Sequence, residues 1–248
     1  MRLALTKYGW PEVIISPAIV LGAMILVARL SSLVPRLSVW TIISIEAVLA
    51  VILIWVLSFF RDPYRRCPKE ANLLLSPADG GVTDIEIVKE NGFIGEHAIR
   101  IGIFLSIFNV HINRAPCNAK VERIRYKKGK YKNAMSPESG RVNESNDLCI
   151  IRTDNPKDRL IVRQISGAIA RRIVCDTKEG QELTGGEKFG MIKFGSRTEL
   201  YVPARANVKC LVQIGDKVKA GLTPLVRYEG QGTRDERRAY AQIKNPGC

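Results

Sequence analysis

The residues best suited to chemistry in this chain are adjacent, Gly195 and Ser196, set between two apolar, strand-like runs within Gly185 to Pro203. Glycine there permits backbone conformations that other residues resist, and it leaves its carbonyl unshielded, so a neighbouring hydroxyl can approach closely. Ser196 supplies that hydroxyl. A bulge glycine followed by an ordinary strand serine is the plainer reading of an isolated Gly-Ser, so the pair has to be weighed with its company. The chain holds two histidines, His97 and His111, and His111 lies where the apolar run from Phe104 gives way to polar residues just before Pro116. Asp79 sits in the tight turn Ser76-Pro77-Ala78-Asp79-Gly80-Gly81. Asp79, His111 and Ser196 are therefore the residues that could make an acid, base and nucleophile set. Each also has a structural reading, as a hairpin aspartate, a core histidine and a strand serine.

Two kinds of element must position them. Val13 to Ala28 is apolar except for Ser16, and Val39 to Phe60 is broken only by Thr, Ser and Glu46. About 20 apolar residues span a bilayer, so the second run is a membrane helix. The first is near the lower limit and carries Pro17 and Gly22, which leaves a re-entrant or interfacial segment open. A signal peptide is disfavoured because no small-residue cleavage pattern follows and a longer apolar run comes next. Arg2 and Lys7 precede the hairpin, and Arg61, Arg65, Arg66 and Lys69 follow it. This bias puts both ends, and the body beyond, on the cytoplasmic side of the cell membrane; Arg29 and Arg36 in the connecting loop weaken it without reversing it. Glu46 is expected to pair with a polar neighbour and is assigned no function.

From Leu73 the pattern changes to short runs of period two, Val82 to Val88, Ile99 to Phe104, Leu148 to Arg152 and Leu160 to Ile165, with turn residues between them. The body reads as mainly β, of the α+β class when the hairpin is included. Ile214 to Gly221 forms a Gly-Asp turn between Val208 to Val212 and Leu225 to Tyr228. It is similar to the turn of the biotinyl and lipoyl carrier domains, which are flattened β-barrels, but lacks their Met-Lys-Met attachment site. The expected organisation is an anchoring hairpin over 1–60, a β-rich catalytic domain over 61–229 and a polar tail over 230–248, helical around Arg234 to Gln242.

With 38 Lys and Arg against 24 Asp and Glu, the formal charge is +14, which calls for an acidic partner: nucleic acid, an anionic membrane or an anionic substrate. Lys120, Arg123, Arg125, Lys127, Lys128, Lys130 and Lys132 crowd one stretch. Near an anionic bilayer each cation contributes about 1 kcal/mol, whereas nucleic acid would find only Tyr126 and Tyr131 to stack on. An anionic phospholipid membrane is the expected partner, and nucleic acid is not. Six cysteines, at 67, 117, 149, 175, 210 and 248, include no Cys-x-x-Cys pair, so reduced thiols and no metal site are expected.

Three stretches in order resemble the phosphatidylserine decarboxylases, in the shorter branch of that family: Ser76 to Gly80, Asn109 to Pro116 and Gly186 to Arg197. The resemblance covers about Arg61 to Glu229. The longer branch has Leu-Gly-Ser-Thr where this chain has Phe194-Gly195-Ser196-Arg197, and a second histidine in place of Arg114. What the resemblance implies is self-processing. Ser196, deprotonated by His111 with Asp79 orienting the imidazole, attacks the Gly195 carbonyl and turns the amide into an ester. Elimination then cuts the chain between 195 and 196 and leaves residue 196 as a covalent pyruvoyl group, the enzyme's own cofactor. That ketone takes the serine amine of the lipid, and the product is phosphatidylethanolamine with carbon dioxide, a step of phospholipid biosynthesis. Asn113, Arg114, Lys127 and Lys128 are candidate contacts to substrate or membrane, and the working form is a heterodimer of the two cleavage chains, with higher oligomers left open. The alternatives are the same chemistry on an ether-linked serine phospholipid, or a membrane-tethered β-barrel binding module with an inert Gly-Ser pair.

Overall fold

The computed structural model describes residues 4–10, 12–33, 38–132, 135–136, 139–167, 172–193 and 195–229. The chain divides into two compact units, Met1–Tyr64 and Arg65–Cys248. The polar tail and its expected helix lie outside the described residues.

In the first unit, α1 (Glu12–Leu33) and α2 (Val39–Phe59) are both long and apolar enough to cross a membrane. Large apolar side chains face outward all round them, among them Ile14, Ile19, Ile25, Trp40, Val51 and Ile54. A helix apolar on every face requires an apolar surrounding. At 22 residues with Pro17 inside it, α1 is one continuous helix, longer than its apolar run suggested. The segment before α1 bonds to the exit of α2, with Thr6 N–H on the Phe60 carbonyl at 2.9 Å and Asp62 N–H on the Ala4 carbonyl at 2.7 Å. The Glu46 Oε1 is shielded from solvent and has no hydrogen-bond partner among the described residues.

The second unit is mainly β. Its strands are β1 (Leu73–Leu75), β2 (Gly80–Glu90), β3 (Glu96–Leu105), β4 (Ile112–Arg114), β5 (Ala119–Lys127), β6 (Ser145–Arg152), β7 (Arg159–Ile165), β8 (Ile173–Cys175), β9 (Glu182–Leu183), β10 (Lys188–Ile192), β11 (Ser196–Pro203), β12 (Val208–Cys210), β13 (Lys217–Val218) and β14 (Pro224–Tyr228). One turn of helix, α3 (Ser139–Val142), precedes β6. Eight strands make one antiparallel sheet in the order β13-β2-β3-β11-β7-β6-β5-β9. Two three-stranded sheets, β4-β10-β8 and β1-β14-β12, complete the unit. The four period-two runs of the sequence fall inside β2, β3, β6 and β7. Strands β12 and β14 pair antiparallel around the Gly-Asp turn, while β13 joins the large sheet at Gly80 and Gly81.

The larger core cluster lies on one face of that sheet. Val82, Ile101, Ile103, Leu148, Ile150, Val162, Leu200 and Val202 fill it with Phe189, Leu225 and Val226 from the smaller sheets. Strand alternation then sends Ser196 and Thr198 to the core face and Arg197, Glu199 and Tyr201 to the other. Close approach of β2 and β3 depends on Gly80, where a β-carbon would run into the Phe104 carbonyl, whereas one on Gly81 would meet nothing within 4 Å. Gly80→Ala should therefore lower stability by about 2–3 kcal/mol, and Gly81→Ala by well under about 1 kcal/mol. Thermal unfolding of the detergent-solubilised protein checks this, and equal midpoints for the two variants would contradict it.

Candidate active site

Strand β11 begins at Ser196, which pairs with Leu105 at the end of β3, while Gly81 pairs with Phe104 near the start of β2. One end of the sheet thus gathers the Ser76–Gly81 turn, the β3 exit and the Gly-Ser pair. Gly195 has φ +62°, in the left-handed region, and a β-carbon there would meet nothing within 4 Å. Glycine is needed for the dihedral and not for space. The Ser196 side chain is fully buried, and its Oγ has no hydrogen-bond partner among the described residues. Buried hydroxyls are nearly always bonded, so an orphan one marks strain or chemistry.

His111 comes alongside the strand before Gly195 by another route. The chain leaves β3 through a turn in which Asn109 N–H donates to the Ser106 carbonyl at 2.9 Å and Ser106 N–H donates to Asn109 Oδ1 at 2.9 Å. The Ile192 N–H then donates to the His111 carbonyl at 3.3 Å, so His111 lies beside the strand that leads into Gly195. The imidazole is fully buried, with Nδ1 at 2.9 Å from the Asn109 carbonyl. A carbonyl can only accept, so Nδ1 carries the proton and Nε2 is the basic nitrogen of the neutral ring.

Asp79 is at the same sheet end but makes other bonds. Arg65 grips it bidentately, Nη1 to Oδ1 at 2.6 Å and Nη2 to Oδ2 at 2.8 Å, and the Ala220 N–H adds a bond to Oδ1 at 2.8 Å. Asp79 is held by Arg65 and Ala220, and the Asn109 carbonyl accepts from His111 Nδ1 and fixes its tautomer. Arg65, read in the sequence as a juxtamembrane cation, is the residue missed here, and its only signal was its place among other cations.

Asn113 and Arg114 are buried, so neither lies on a surface a bilayer could touch. Asn113 Nδ2 donates to Thr198 Oγ1 at 3.1 Å and to the Pro77 carbonyl at 3.3 Å, and its Oδ1 accepts from Gln164 Nε2 at 2.9 Å. It therefore ties the Asp79 turn to β7 and to the strand that starts at Ser196. Arg114 donates from Nη1 to the Gly186 carbonyl at 2.9 Å. Lys127 and Lys128 are exposed, as are Lys120, Arg123, Lys130 and Lys132. Arg125 departs from this basic surface, being half-buried and 3.3 Å from Asp147. Among the described cysteines, Cys67, Cys117, Cys149, Cys175 and Cys210 are free, and burial pushes the Cys117 thiol up to about 12, which suits a small core residue.

The sequence also gave no warning of the buried charges beside the Gly-Ser pair. Arg197, Glu199 and Asp84 lie on the far face of the sheet, and Arg197 donates to both oxygens of Asp84 at 2.7 and 2.6 Å. Burial alone would raise the Asp84 carboxyl, but the hydrogen bond and charge of Arg197, with Thr83 and Arg100, hold it below the usual carboxylate range.

Replacing Asn113 with leucine would leave buried groups of Gln164 and Thr198 short of a partner. Stability should fall by about 2 kcal/mol, read as a lower thermal midpoint of the solubilised protein. An unchanged midpoint would mean that this link is dispensable.

Comparison with known proteins meets this geometry from outside. A family model described as phosphatidylserine decarboxylase matches residues 52–225. A phosphatidylserine decarboxylase proenzyme of Carboxydothermus hydrogenoformans is 43% identical over 180 residues, 73% of this chain and 83% of the relative. That of Symbiobacterium thermophilum is 39% identical over 226 residues, 91% of this chain and 96% of the relative. That of Pelagibacter ubique is 43% identical over 180 residues, 71% and 81% of the two chains. The matched segment holds the Asp79 turn, the His111 strand and the Gly-Ser pair, and the chain belongs to the phosphatidylserine decarboxylase family.

Proposed function

We propose that this chain, a decarboxylase that converts phosphatidylserine to phosphatidylethanolamine and carbon dioxide, makes its own cofactor at Ser196 and works at an anionic membrane surface. The observation that carries the reading is the fully buried Ser196 Oγ, without a hydrogen-bond partner among the described residues and directly after a left-handed glycine. His111, with its proton held on Nδ1 by Asn109, takes the Ser196 proton at Nε2. The Ser196 oxygen attacks the Gly195 carbonyl, the amide becomes an ester and the Ser196 nitrogen is released as an amine. Loss of the Cα proton of residue 196 expels the Gly195 carboxylate and cuts the chain. Hydrolysis of the remaining enamine releases ammonia and leaves the pyruvoyl group, which when present supplies a ketone that takes the lipid's serine amine and accepts the electron pair left by carbon dioxide.

The residues fit such a group: position 196 is enclosed, and its strand is anchored on both edges by β3 and β7. Burial excludes water from the reacting atoms and strengthens every dipole aimed at them. Thr198 and Asn113 line the same face next to residue 196. Asp79 completes the set by holding the 76–81 turn and Arg65 at this sheet end, so Asp79→Asn is expected to slow processing more than it disturbs folding. The exposed cations from Lys120 to Lys132, Lys127 and Lys128 among them, offer an anionic bilayer a contact surface, and two apolar helices offer a membrane anchor. On this reading the catalytic unit works at the cytoplasmic face of the cell membrane, which the cations flanking the two helices support.

Intact-mass analysis of the purified protein tests the chemistry. It should show a chain of residues 1–195 and a chain of residues 196–248, the smaller without a free amino terminus and one ammonia lighter than a serine-started peptide. Ser196→Ala and His111→Ala should each stay whole and inactive. A single uncut polypeptide with full decarboxylase activity would falsify the mechanism.

The surface role is tested by turnover on anionic vesicles across a salt series, comparing the full-length protein with a form beginning at residue 61, which keeps Arg65. The shorter form should lose activity as salt screens the basic stretch, while the full-length protein, held by its helices, should change little. Salt-independent activity of the shorter form would remove the docking role.

A further inference from the structure

The face of the sheet opposite Ser196 carries a continuous polar chain. Arg197 Nη1 donates to Thr83 Oγ1 at 2.7 Å, its Nη2 bridges both Asp84 oxygens, and its Nε donates to Glu199 Oε1 at 2.8 Å. Tyr201 donates to the other Glu199 oxygen at 2.6 Å and accepts from Arg163 at 2.9 Å, and Arg163 grips Asp147 at 2.6 and 2.9 Å. Arg100 reaches Asp84 at 3.3 Å from β3. Five adjacent strands, β2, β3, β11, β7 and β6, are thus joined by side chains, with the strand that starts at Ser196 in the middle.

Two local departures of the backbone build the Arg197 seat. The β2–β3 register shifts between Val82 and Asp84, so that both Thr83 and Asp84 stand opposite Gly102. At Gly102 a β-carbon would collide with the Arg197 guanidinium and the Asp84 carboxylate. A bulge and a glycine on two different strands therefore make room for one side chain, and that side chain is fully buried. Buried guanidinium groups persist only where every donor is matched, and such a match fixes geometry strongly.

We propose that Arg197 is a positioning residue for residue 196, before and after the cut. The inference rests on the cut falling between 195 and 196. Before it, the clamp sets the start of β11 so that the Ser196 oxygen faces the Gly195 carbonyl. After it, residue 196 is a chain end, and chain ends fray unless something holds them. The clamp one residue further on keeps the new terminus seated. Arg197 acts through the backbone from the far face and does not touch substrate.

The test follows self-cleavage in time, on a denaturing gel, after synthesis of the full-length chain in detergent, and then measures kcat and KM of the cut enzyme. Thr83→Val removes one of the clamp's hydrogen bonds without removing charge; Arg197→Lys removes the fork. We expect cleavage slowed about threefold in the first and at least about tenfold in the second, with kcat lowered in parallel and KM within about twofold of the parent. Thr83→Val orphans a buried guanidinium donor, so in an uncuttable Ser196→Ala background its thermal midpoint should fall. Leu225→Ala, a cavity in the β1-β14-β12 sheet with an equal or larger fall, should cut at the parental rate, which separates positioning from general destabilisation. Parental cleavage and kcat in both clamp variants would overturn the proposal, as would equal slowing in Leu225→Ala. A parent protein that stays whole at 195/196 would sink the cleavage reading, and the clamp with it. A parent that cuts normally beside unaffected variants would sink the clamp alone.

Discussion

Strand β11 is hydrogen-bonded along both edges, to β3 over eight residues and to β7 over five, and this central pairing is the constraint on which the catalytic unit depends. It fixes residue 196 opposite Leu105, at the sheet end that also carries the Asp79 turn. A loop could carry a serine to a histidine, but a central strand delivers it with the precision of a ladder. Self-cleavage asks for that precision, because nucleophile and target carbonyl belong to neighbouring residues that ordinary backbone geometry keeps in poor alignment.

The alignment is changed at one dihedral. Gly195 at φ +62° turns the chain sharply between β10 and β11, and the short β4-β10-β8 sheet brings the His111 backbone alongside that turn. Asn109 holds the imidazole tautomer and Asn113 ties the Asp79 turn to Thr198. Backbone carbonyls and amides therefore do much of the positioning that a chain of charged side chains would do elsewhere, leaving the core face almost free of charge. The ionic groups collect on the other face, where Arg197, Asp84 and Glu199 satisfy one another.

Much of this was legible before the structure. The four alternating runs became four strands of the large sheet because period two with one buried face specifies register. The Asp79 turn and Ser196 meet at one sheet end, and the His111 carbonyl bonds to Ile192 in the strand before the Gly-Ser pair, since turn residues and strand ends are local signals. The partners of the charges were not legible. In Arg197-Thr198-Glu199-Leu200-Tyr201-Val202 alternation places Arg197 and Glu199 on a polar face, which reads as solvent, yet both are fully buried. Their burial depends on Asp84, 113 residues away in sequence from Arg197, and no local pattern encodes such a partner. Arg65 hid its grip on Asp79 for a related reason, because a cation after a membrane helix already has an explanation.

The order of the strands has one more consequence. Residues 196–248 supply β11 to the middle of the large sheet, β13 to its edge, and β12 and β14 to a sheet shared with β1. Residues before 196 supply neighbours to three of them, β3 and β7 to β11, β2 to β13 and β1 to β14, while β12 pairs with β14. With the proposed cut at 195/196, the two polypeptides would be interleaved like the teeth of a closed zip, sharing one core between them. Their separation would be the unfolding of the whole unit, so the cut molecule has no mild route to subunit exchange, and a fragment lost to proteolysis could not be replaced from another molecule.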